Sequence, residues 1–452
     1  MDLNSQILKL RDIFKLSNYQ LYLVGGCVRD SIMGSEPHDW DMCTNAKPDE
    51  IVMILTSNDI NYHTVGIDFG TITAILDGVE YEITTFRKET GYSDSRHPDE
   101  VMWVDNIYED LSRRDFTINA IAYDLINEEF ADPYNGIKDI ENGVLRSVGE
   151  PHSRFNEDAL RIMRGIRFAI KYDLHISSSL SVAIVTDCHL LSNVSKERIT
   201  DELSKILSLN KPVSKYFIRY VDVICTIIPE MEQVIGVEHN NKYHQHNIYE
   251  HILAVVDLCD TDDWVIKLAA LLHDIGKPRT KITGDDGWSH YYNHPEISWQ
   301  IAQEIIKKDL VLTNEQSSKL LGLVRYHDIQ ISETDKAVKR ALNKYGEDFL
   351  IDWFILKRAD QDDHIVPPDC KADWKMNIDN LIMIMNNILA SNQCFKLKDM
   401  KLNGVDVMNT LNIKPSKKVG EILKNVFDAV LDGTLENSHE VLINYIKNME
   451  VS

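Results

Sequence analysis

The rhythm of apolar positions changes along the chain. Between Met1 and Ser17, Leu3, Ile7, Leu10 and Phe14 recur at helical spacing and charges interrupt them, which predicts an amphipathic helix. Up to about Ser147 short apolar strands then alternate with turns: Leu21–Val24, Gly70–Leu76, Glu80–Thr85 and Glu129–Ala131. Asp77-Gly78, between the second and third, signals a tight hairpin. From Phe155 onward the period becomes helical, as in Leu160, Met163, Ile166 and Ile170. The pattern predicts an α+β fold class: a head built on a mixed sheet with helices, followed by an all-α remainder. The polar, turn-rich stretch Arg87–Pro98 reads as a mobile loop in the head.

Bulk properties narrow the class. A chain of 452 residues holds several domains. No run is long and apolar enough to cross a membrane, so no membrane partner is expected. The seven scattered cysteines form no pairing framework, and a reducing cytoplasm is the simplest location. Cys27 and Cys43 read as packing residues. A net charge of −23 argues against nucleic-acid binding over the whole surface. Positive charge is instead local: Arg113 and Arg114; Arg154, Arg161, Arg164, Arg167 and Lys171; Lys414, Lys417, Lys418 and Lys424. An RNA partner would therefore bind modestly and in a salt-sensitive way.

The densest chemistry lies near the N-terminus. The apolar Tyr22-Leu23-Val24 runs into Gly25-Gly26, then Arg29-Asp30, then a short loop to Asp39-Trp40-Asp41. On an extended strand, residues i and i+2 point to one side, so Asp39 and Asp41 are expected to face one pocket. Mg²⁺ is commonly held by one or two carboxylates together with substrate phosphates. A Gly-Gly turn lets backbone N–H groups approach a triphosphate. Alone, an Asp-x-Asp pair is more often a solvated loop; strand, turn, arginine and paired acids in this order read as a nucleotidyl-transfer site.

At these residues the sequence resembles the class II tRNA nucleotidyltransferases, the CCA-adding enzymes, and the related bacterial poly(A) polymerases. Asp110-Leu111-Ser112-Arg113-Arg114-Asp115 through Ala120 resembles the family's ribose- and phosphate-binding motif, Glu157-Asp158-Ala159-Leu160-Arg161 its base-reading motif, and Ser195-Lys196-Glu197-Arg198 the helix-stabilising motif after it. The likeness is strong over the first half and weaker from Gly404 to Leu442. It implies a nucleotidyltransferase head (1–147), an all-α neck (148–235) and a helical tail that contacts tRNA (369–452). The implied reaction adds C, C and A to a tRNA 3′ end from CTP and ATP. Asp39 and Asp41 would be catalytic and hold Mg²⁺, with Gly26, Arg29 and Arg114 on the triphosphate and sugar. Asp110 is a candidate third acid. Asp158 and Arg161, three apart on an expected helix face, would accept from an exocyclic amine and donate to the acceptor beside it. Cytosine and adenine offer that pair, and uracil and guanine do not. Arg164 and Arg167 continue the stripe toward phosphates or the base. The loop at Arg87–Pro98 would help the site switch from C to A.

A second constellation occupies the middle of the chain. His273-Asp274, after the apolar Leu268–Leu272, resembles the signature of the HD phosphohydrolase superfamily. This domain would span 236–368. His251, His273, Asp274 and Asp360 would be its metal ligands, and His294 and His327 would hold a second metal or phosphate. His244 and His246 compete with His251 for the first position, and Asp362, Asp363 and His364 with Asp360 for the last. Imidazoles with carboxylates suit a divalent transition metal, with Mg²⁺ the other choice. The resemblance implies phosphatase or cyclic phosphodiesterase activity on RNA ends.

Three other readings compete: a poly(A) polymerase or A-adding enzyme, a non-catalytic RNA-binding protein, and an HD hydrolase whose head only senses nucleotides. The absence of a long basic tail speaks against the first, since the chain ends Ile446-Lys447-Asn448-Met449-Glu450-Val451-Ser452. Carboxylates aimed at a polyanion speak against the second.

Overall fold

A seven-stranded mixed sheet with helices packed against it builds the head in this computed structural model, which describes residues 1, 3–37, 39–91, 100–365, 375–391, 393 and 395–449. The strands are β1 (Leu21–Val24), β2 (Asp41–Thr44), β3 (Asn61–His63), β4 (Thr71–Leu76), β5 (Val79–Thr85), β8 (Ala122–Asp124) and β9 (Glu129–Ala131), ordered β3-β4-β5-β2-β1-β8-β9. Only β2 and β5 run parallel; the other neighbours are antiparallel. Asp77 (φ 51°) and Gly78 (φ 81°) both take left-handed backbone, as a tight hairpin between β4 and β5 requires. Helix Ser5–Leu16 lays Ile7, Leu10, Ile13 and Phe14 into the core under the sheet, beside Leu21, Leu23, Ile72 and Ile83.

The expected mobile loop is partly a hairpin. Arg87–Thr90 (β6) pairs with Glu100–Trp103 (β7). The remainder of that expectation, 92–98, lies outside the described residues. Beyond the head, β10 (Val144–Leu145) pairs in parallel with β11 (His175–Ile176), and the helices Pro151–Glu157, Arg161–Tyr172 and Lys196–Leu207 follow. Met163, Ile166 and Ile170 point into the core from the second of these, and its charged face is left for the site.

Contacts divide the chain into two compact units: Met1–Met231 with Lys308–Val311, and Glu232–Lys307 with Leu312 onward. In the second unit the helices Ile248–Leu258, Trp264–Leu272, Asn314–Tyr326 and Glu347–Asp363 pack together. A short hairpin of β12 (Ile282–Thr283) and β13 (Ser289–His290) leads into helix His294–Lys308. Towards the C-terminus, Val407, Val426, Phe427, Leu442 and Ile446 centre a separate small core. Among the described residues no helix is long and apolar enough to cross a membrane.

Candidate functional sites

In the first unit, strand β1 ends at Val24 and the chain turns at Gly25 with φ +71°. That left-handed backbone favours glycine, and a Cβ there would lie 2.9 Å from Arg114 Nη1, the end of a flexible side chain that would have to shift. The turn opens on a cavity of about 530 Å³. Gly26, Arg29, Asp41, Arg114, Asp158, Arg161, Arg164 and Arg167 all line it, so nearly the whole set of expected head residues converges on one space.

Asp39 is the exception in position. Strand β2 begins only at Asp41, and Asp39 sits in the bend before it, so strand alternation does not place the pair. Their proximity shows in electrostatics. Desolvation raises the Asp41 carboxyl, Arg114 pulls it down, and Asp39 pushes it up again. Glu82, paired with Asp41 across the parallel β2–β5 register, is also raised by burial, then by Asp41 and Asp39. The three carboxylates feel one another's charge, but among the described residues their oxygens are not one of the sets of three that lie close enough together to hold one ion. Glu82 escaped the sequence reading because its neighbour is set by sheet order. Asp110 is not that third acid. It is fully buried, with its oxygens engaged by Arg113 (2.9 Å) and Arg114 (3.4 Å), so it positions arginines.

The base-reading pair also needs correcting. Helix Pro151–Glu157 stops at Asp158, which is extended (φ −149°, ψ 102°), and the next helix starts at Arg161. The two residues therefore flank a turn and do not share a helix face. Asp158 accepts from Arg198 at 2.8 Å, and Arg161 donates to Glu157 at 2.6 Å. Arg198, from the motif expected only to stabilise a helix, thus lines the cavity directly.

Most arginines here are already paired. Arg164 reaches Asp115 at 2.6 Å and Arg167 reaches Glu202 at 2.5 Å. Burial raises the Asp115 carboxyl, but Arg164 and Asn119 outweigh it and hold the acid down at about 2. Arg29 is clamped by Asp30 (2.8 Å) and lies under the Tyr172 ring at 4.4 Å, while the Tyr172 hydroxyl donates to Asp30 at 3.1 Å. A guanidinium carries five donors, so each paired arginine keeps donors for a phosphate or base.

In the second unit the histidines converge. Three imidazoles each donate Nδ1–H to a backbone carbonyl: His273 to Ala270 (2.7 Å), His294 to Tyr291 (2.8 Å) and His327 to Val324 (2.8 Å). His251 donates its Nδ1–H to Asp363 at 2.7 Å. All four therefore turn Nε2 inward. His251 and His273 Nε2 each lie 3.3 Å from Asp274 Oδ2, and His294 Nε2 lies 3.2 Å from Oδ1. His294 and His327 Nε2 face each other at 3.1 Å, two lone pairs opposed unless a proton or cation sits beside them. His251, His273 and Asp274 form one possible metal group, and Asp274, His294 and His327 another, sharing the carboxylate. Asp360 Oδ1 lies 3.5 Å from His251 Nε2, and its Oδ2 takes Lys357 Nζ at 3.1 Å.

Charge in this centre is finely balanced. Burial pushes His251 down, but Asp274, Asp360 and Asp363 outweigh it and raise the imidazole to about 10. Three carboxylates thus surround the imidazole of His251. Burial would raise Asp274, yet His273 and Lys277 hold it well below the usual carboxylate range. The competing residues also find their places. Asp363 orients His251, His246 Nδ1 reaches Asp363 at 3.1 Å, and His244 stacks on His239 at 3.7 Å. Of these, the carboxylate on His251 Nδ1–H is the kind of orienting partner that metal-ligating histidines commonly have.

A mixed-sheet head with an arginine-lined cavity, joined to a histidine–aspartate centre, defines a nucleotidyltransferase that carries an HD domain. Family models agree: "Poly A polymerase head domain" matches residues 21–146 and "HD domain" residues 238–364. The CCA-adding enzyme of Streptococcus suis is 30% identical over 444 residues, 98% of this chain and 96% of that one. The CCA-adding enzyme of Limosilactobacillus reuteri is 44% identical over 200 residues, 44% of this chain and 48% of that one. In fold, the chain is similar to the Bacillus stearothermophilus CCA-adding enzyme in complex with CTP (TM-score 0.70, 23% identity, 98% and 97% of the two chains). It is also similar to the Thermotoga maritima CCA-adding enzyme complexed with tRNA (TM-score 0.59, 19% identity, 98% and 95%). The chain belongs to the CCA-adding enzyme family of tRNA nucleotidyltransferases.

Proposed function

We propose that this chain adds C, C and A to tRNA 3′ ends from CTP and ATP, without a nucleic-acid template, in the cytoplasm. The observation that carries the reading is the single cavity shared by Asp41, Arg114, Asp158, Arg161, Arg164 and Arg167. The working parts are a head (1–147), a neck (148–235), an HD domain (236–368) and a tail that contacts tRNA (369–452). In the reaction the RNA 3′-hydroxyl oxygen bonds to the α-phosphorus, the bond to the β-phosphate oxygen breaks, and pyrophosphate leaves. The hydroxyl proton goes to solvent. Mg²⁺ held by Asp39 and Asp41, beside Glu82, would supply activation of that hydroxyl and neutralisation of the triphosphate. Gly26 brings backbone to the phosphates, and Arg29 and Arg114 donate to phosphate and sugar. Asp158 and Arg161, converging across their turn, read an amine and its neighbouring acceptor, and Arg164 and Arg167 hold the rest of the nucleotide.

The HD centre adds hydrolysis of a phosphate ester at an RNA end. His251, His273, Asp274 and Asp360 would hold a divalent transition metal or Mg²⁺, with His294 and His327 completing a second position through Asp274. Such a cation supplies an activated water and polarises the phosphoryl group. The chain's own work is to fix every imidazole tautomer through Nδ1 and to keep Lys277 and Lys357 beside the carboxylates.

A gel assay tests the first reading. Offered tRNA lacking CCA, then carrying one C, then CC, with single nucleoside triphosphates and Mg²⁺, the protein is expected to add two C and one A and stop. An unlimited A ladder would support poly(A) polymerase instead.

A further inference from the structure

One head residue of the shared cavity is held by a helix that lies beyond the head. Arg29 belongs to helix Gly26–Ile32 and is only 6% exposed. A buried guanidinium is costly unless its charge and its donors are met. Part of that is done within the head: Nε and Nη2 donate to Asp30 Oδ1 at 2.9 and 2.8 Å, and Nη1 donates to Asn119 Oδ1. The rest comes from helix Arg161–Tyr172. The Tyr172 ring centroid lies 4.4 Å from the guanidinium carbon, and the Phe168 centroid 5.4 Å. These two rings are stacked, 20° from parallel and 6.1 Å apart.

Tyr172 acts on Arg29 in two ways at once. Its ring covers the cation, and such contacts strengthen when the cation is desolvated. Its hydroxyl donates at 3.1 Å to Asp30 Oδ1, the same oxygen that takes Arg29. Burial pushes that hydroxyl up to about 12, so it remains a donor at neutral pH. Swinging Arg29 away would break its contacts with Asp30, Asn119 and Tyr172 together. Phe168 is a less particular partner, since Arg164 and Arg167 also lie over its ring, at 5.4 and 4.6 Å. Lys171 Nζ is a second cation on the Tyr172 ring, at 5.1 Å. Arg29 lines the cavity and Tyr172 does not, so the tyrosine stands behind the arginine.

We propose that Tyr172 is a positioning residue for nucleotide binding: it locks Arg29 in the orientation that receives the triphosphate, and so sets affinity for the phosphates from outside the cavity. This rests on the assignment of Arg29 to the triphosphate given above. In the test, dissociation constants of CTP and CMP are measured by equilibrium dialysis with Mg²⁺ and without RNA. The proteins are wild type, Tyr172→Leu, Tyr172→Phe, Arg29→Ala and the double variant Arg29→Ala, Tyr172→Leu. Arg29→Ala should weaken CTP by about tenfold or more and spare CMP, since a charge-assisted contact to phosphate is lost. Tyr172→Leu should weaken CTP about tenfold and leave CMP within about twofold, because a ring contact and a hydrogen bond are lost and both act through Arg29. Tyr172→Phe, which loses only the hydroxyl, should weaken CTP by about threefold. In the double variant Tyr172→Leu should add nothing to Arg29→Ala. An unchanged CTP constant in Tyr172→Leu would overturn the proposal. So would a loss that persists in the Arg29→Ala background, where the ring would be acting through Lys171. Equal losses of CTP and CMP in Tyr172→Leu, with wild-type binding in Tyr172→Phe, would mark a merely structural side chain and overturn it too. If Arg29→Ala binds CTP as wild type does, the triphosphate assignment itself fails and takes the proposal with it; the other three results leave that assignment standing.

Discussion

The head cavity and the HD centre solve opposite problems with charged side chains. In the head, arginines are parked on acids: Arg161 on Glu157, Arg164 on Asp115, Arg167 on Glu202, and Arg198 on Asp158. Each keeps spare donors, so a polyanion can be engaged without any cation first being desolvated alone. In the HD centre the second nitrogen of each ligand histidine is fixed on a backbone carbonyl or a buried carboxylate, and the inward nitrogens of His251 and His273 have no hydrogen-bond partner. The first arrangement suits substrates that change through a cycle; the second suits an ion that stays. A site for transient ligands is built from replaceable pairs, and a site for a resident one from fixed tautomers and unmet lone pairs.

The sharpest way to break this contrast is a double dissociation. Asp39→Ala with Asp41→Ala should lower nucleotide incorporation at least roughly a thousandfold, because metal-ion chemistry accounts for several kcal/mol of such a barrier. Phosphate-ester hydrolysis should persist. His273→Ala with Asp274→Ala should do the reverse. Loss of both activities in either protein, measured on gels and by phosphate release, would mean that the two regions do not work separately.

A smaller effect sharpens the fixed-tautomer half. Asp363→Ala removes the acceptor of His251 Nδ1–H, and metal affinity of the HD centre should fall about 10–100-fold by equilibrium dialysis, with CCA addition as the fold control. Unchanged affinity would mean that Asp363 does not orient the ligand.

The smallest effect concerns the crowded acids of the head. The Asp41 carboxyl is raised in the folded state, so its charge destabilises the fold above the carboxylate range and costs nothing below it. Without Mg²⁺, Asp41→Asn should therefore raise Tm near neutral pH by about 1–2 °C, and the gain should vanish as the pH falls through the carboxylate range. A lower Tm at neutral pH would show that the charge is stabilised.

Legibility from sequence followed the range of the interactions. Strands Leu21–Val24 and Glu129–Ala131, the Asp77-Gly78 turn and the N-terminal amphipathic helix are set by local pattern, and they stand where the pattern put them. That the head residues converge on one cavity, and the histidines and aspartates of the HD domain on another, was legible because each motif carries its own spacing. What escaped depends on distant partners. Glu82 meets Asp41 only through the parallel β2–β5 register, and Arg198 meets Asp158 only when two helices fold together. The expected helix face through Asp158 failed because the preceding helix ends there, a break that residue spacing does not reveal. Asp110 looked like an acid for metal, but the arginines that follow it within four residues turn onto it. Asp363 stands among three neighbouring candidates, and only the fold shows that it serves His251 from behind.

Base choice in the shared cavity is tested most directly by single-nucleotide incorporation. With one tRNA end, kcat/KM is measured for CTP, ATP, UTP and GTP, in wild type and Asp158→Ala. Wild type is expected to use CTP and ATP only. Asp158→Ala is expected to lose that distinction, with UTP or GTP brought within about tenfold of CTP, since one lost hydrogen-bond discrimination is worth a few kcal/mol. Unchanged ratios among the four nucleotides in Asp158→Ala would contradict base reading at the turn between the two helices.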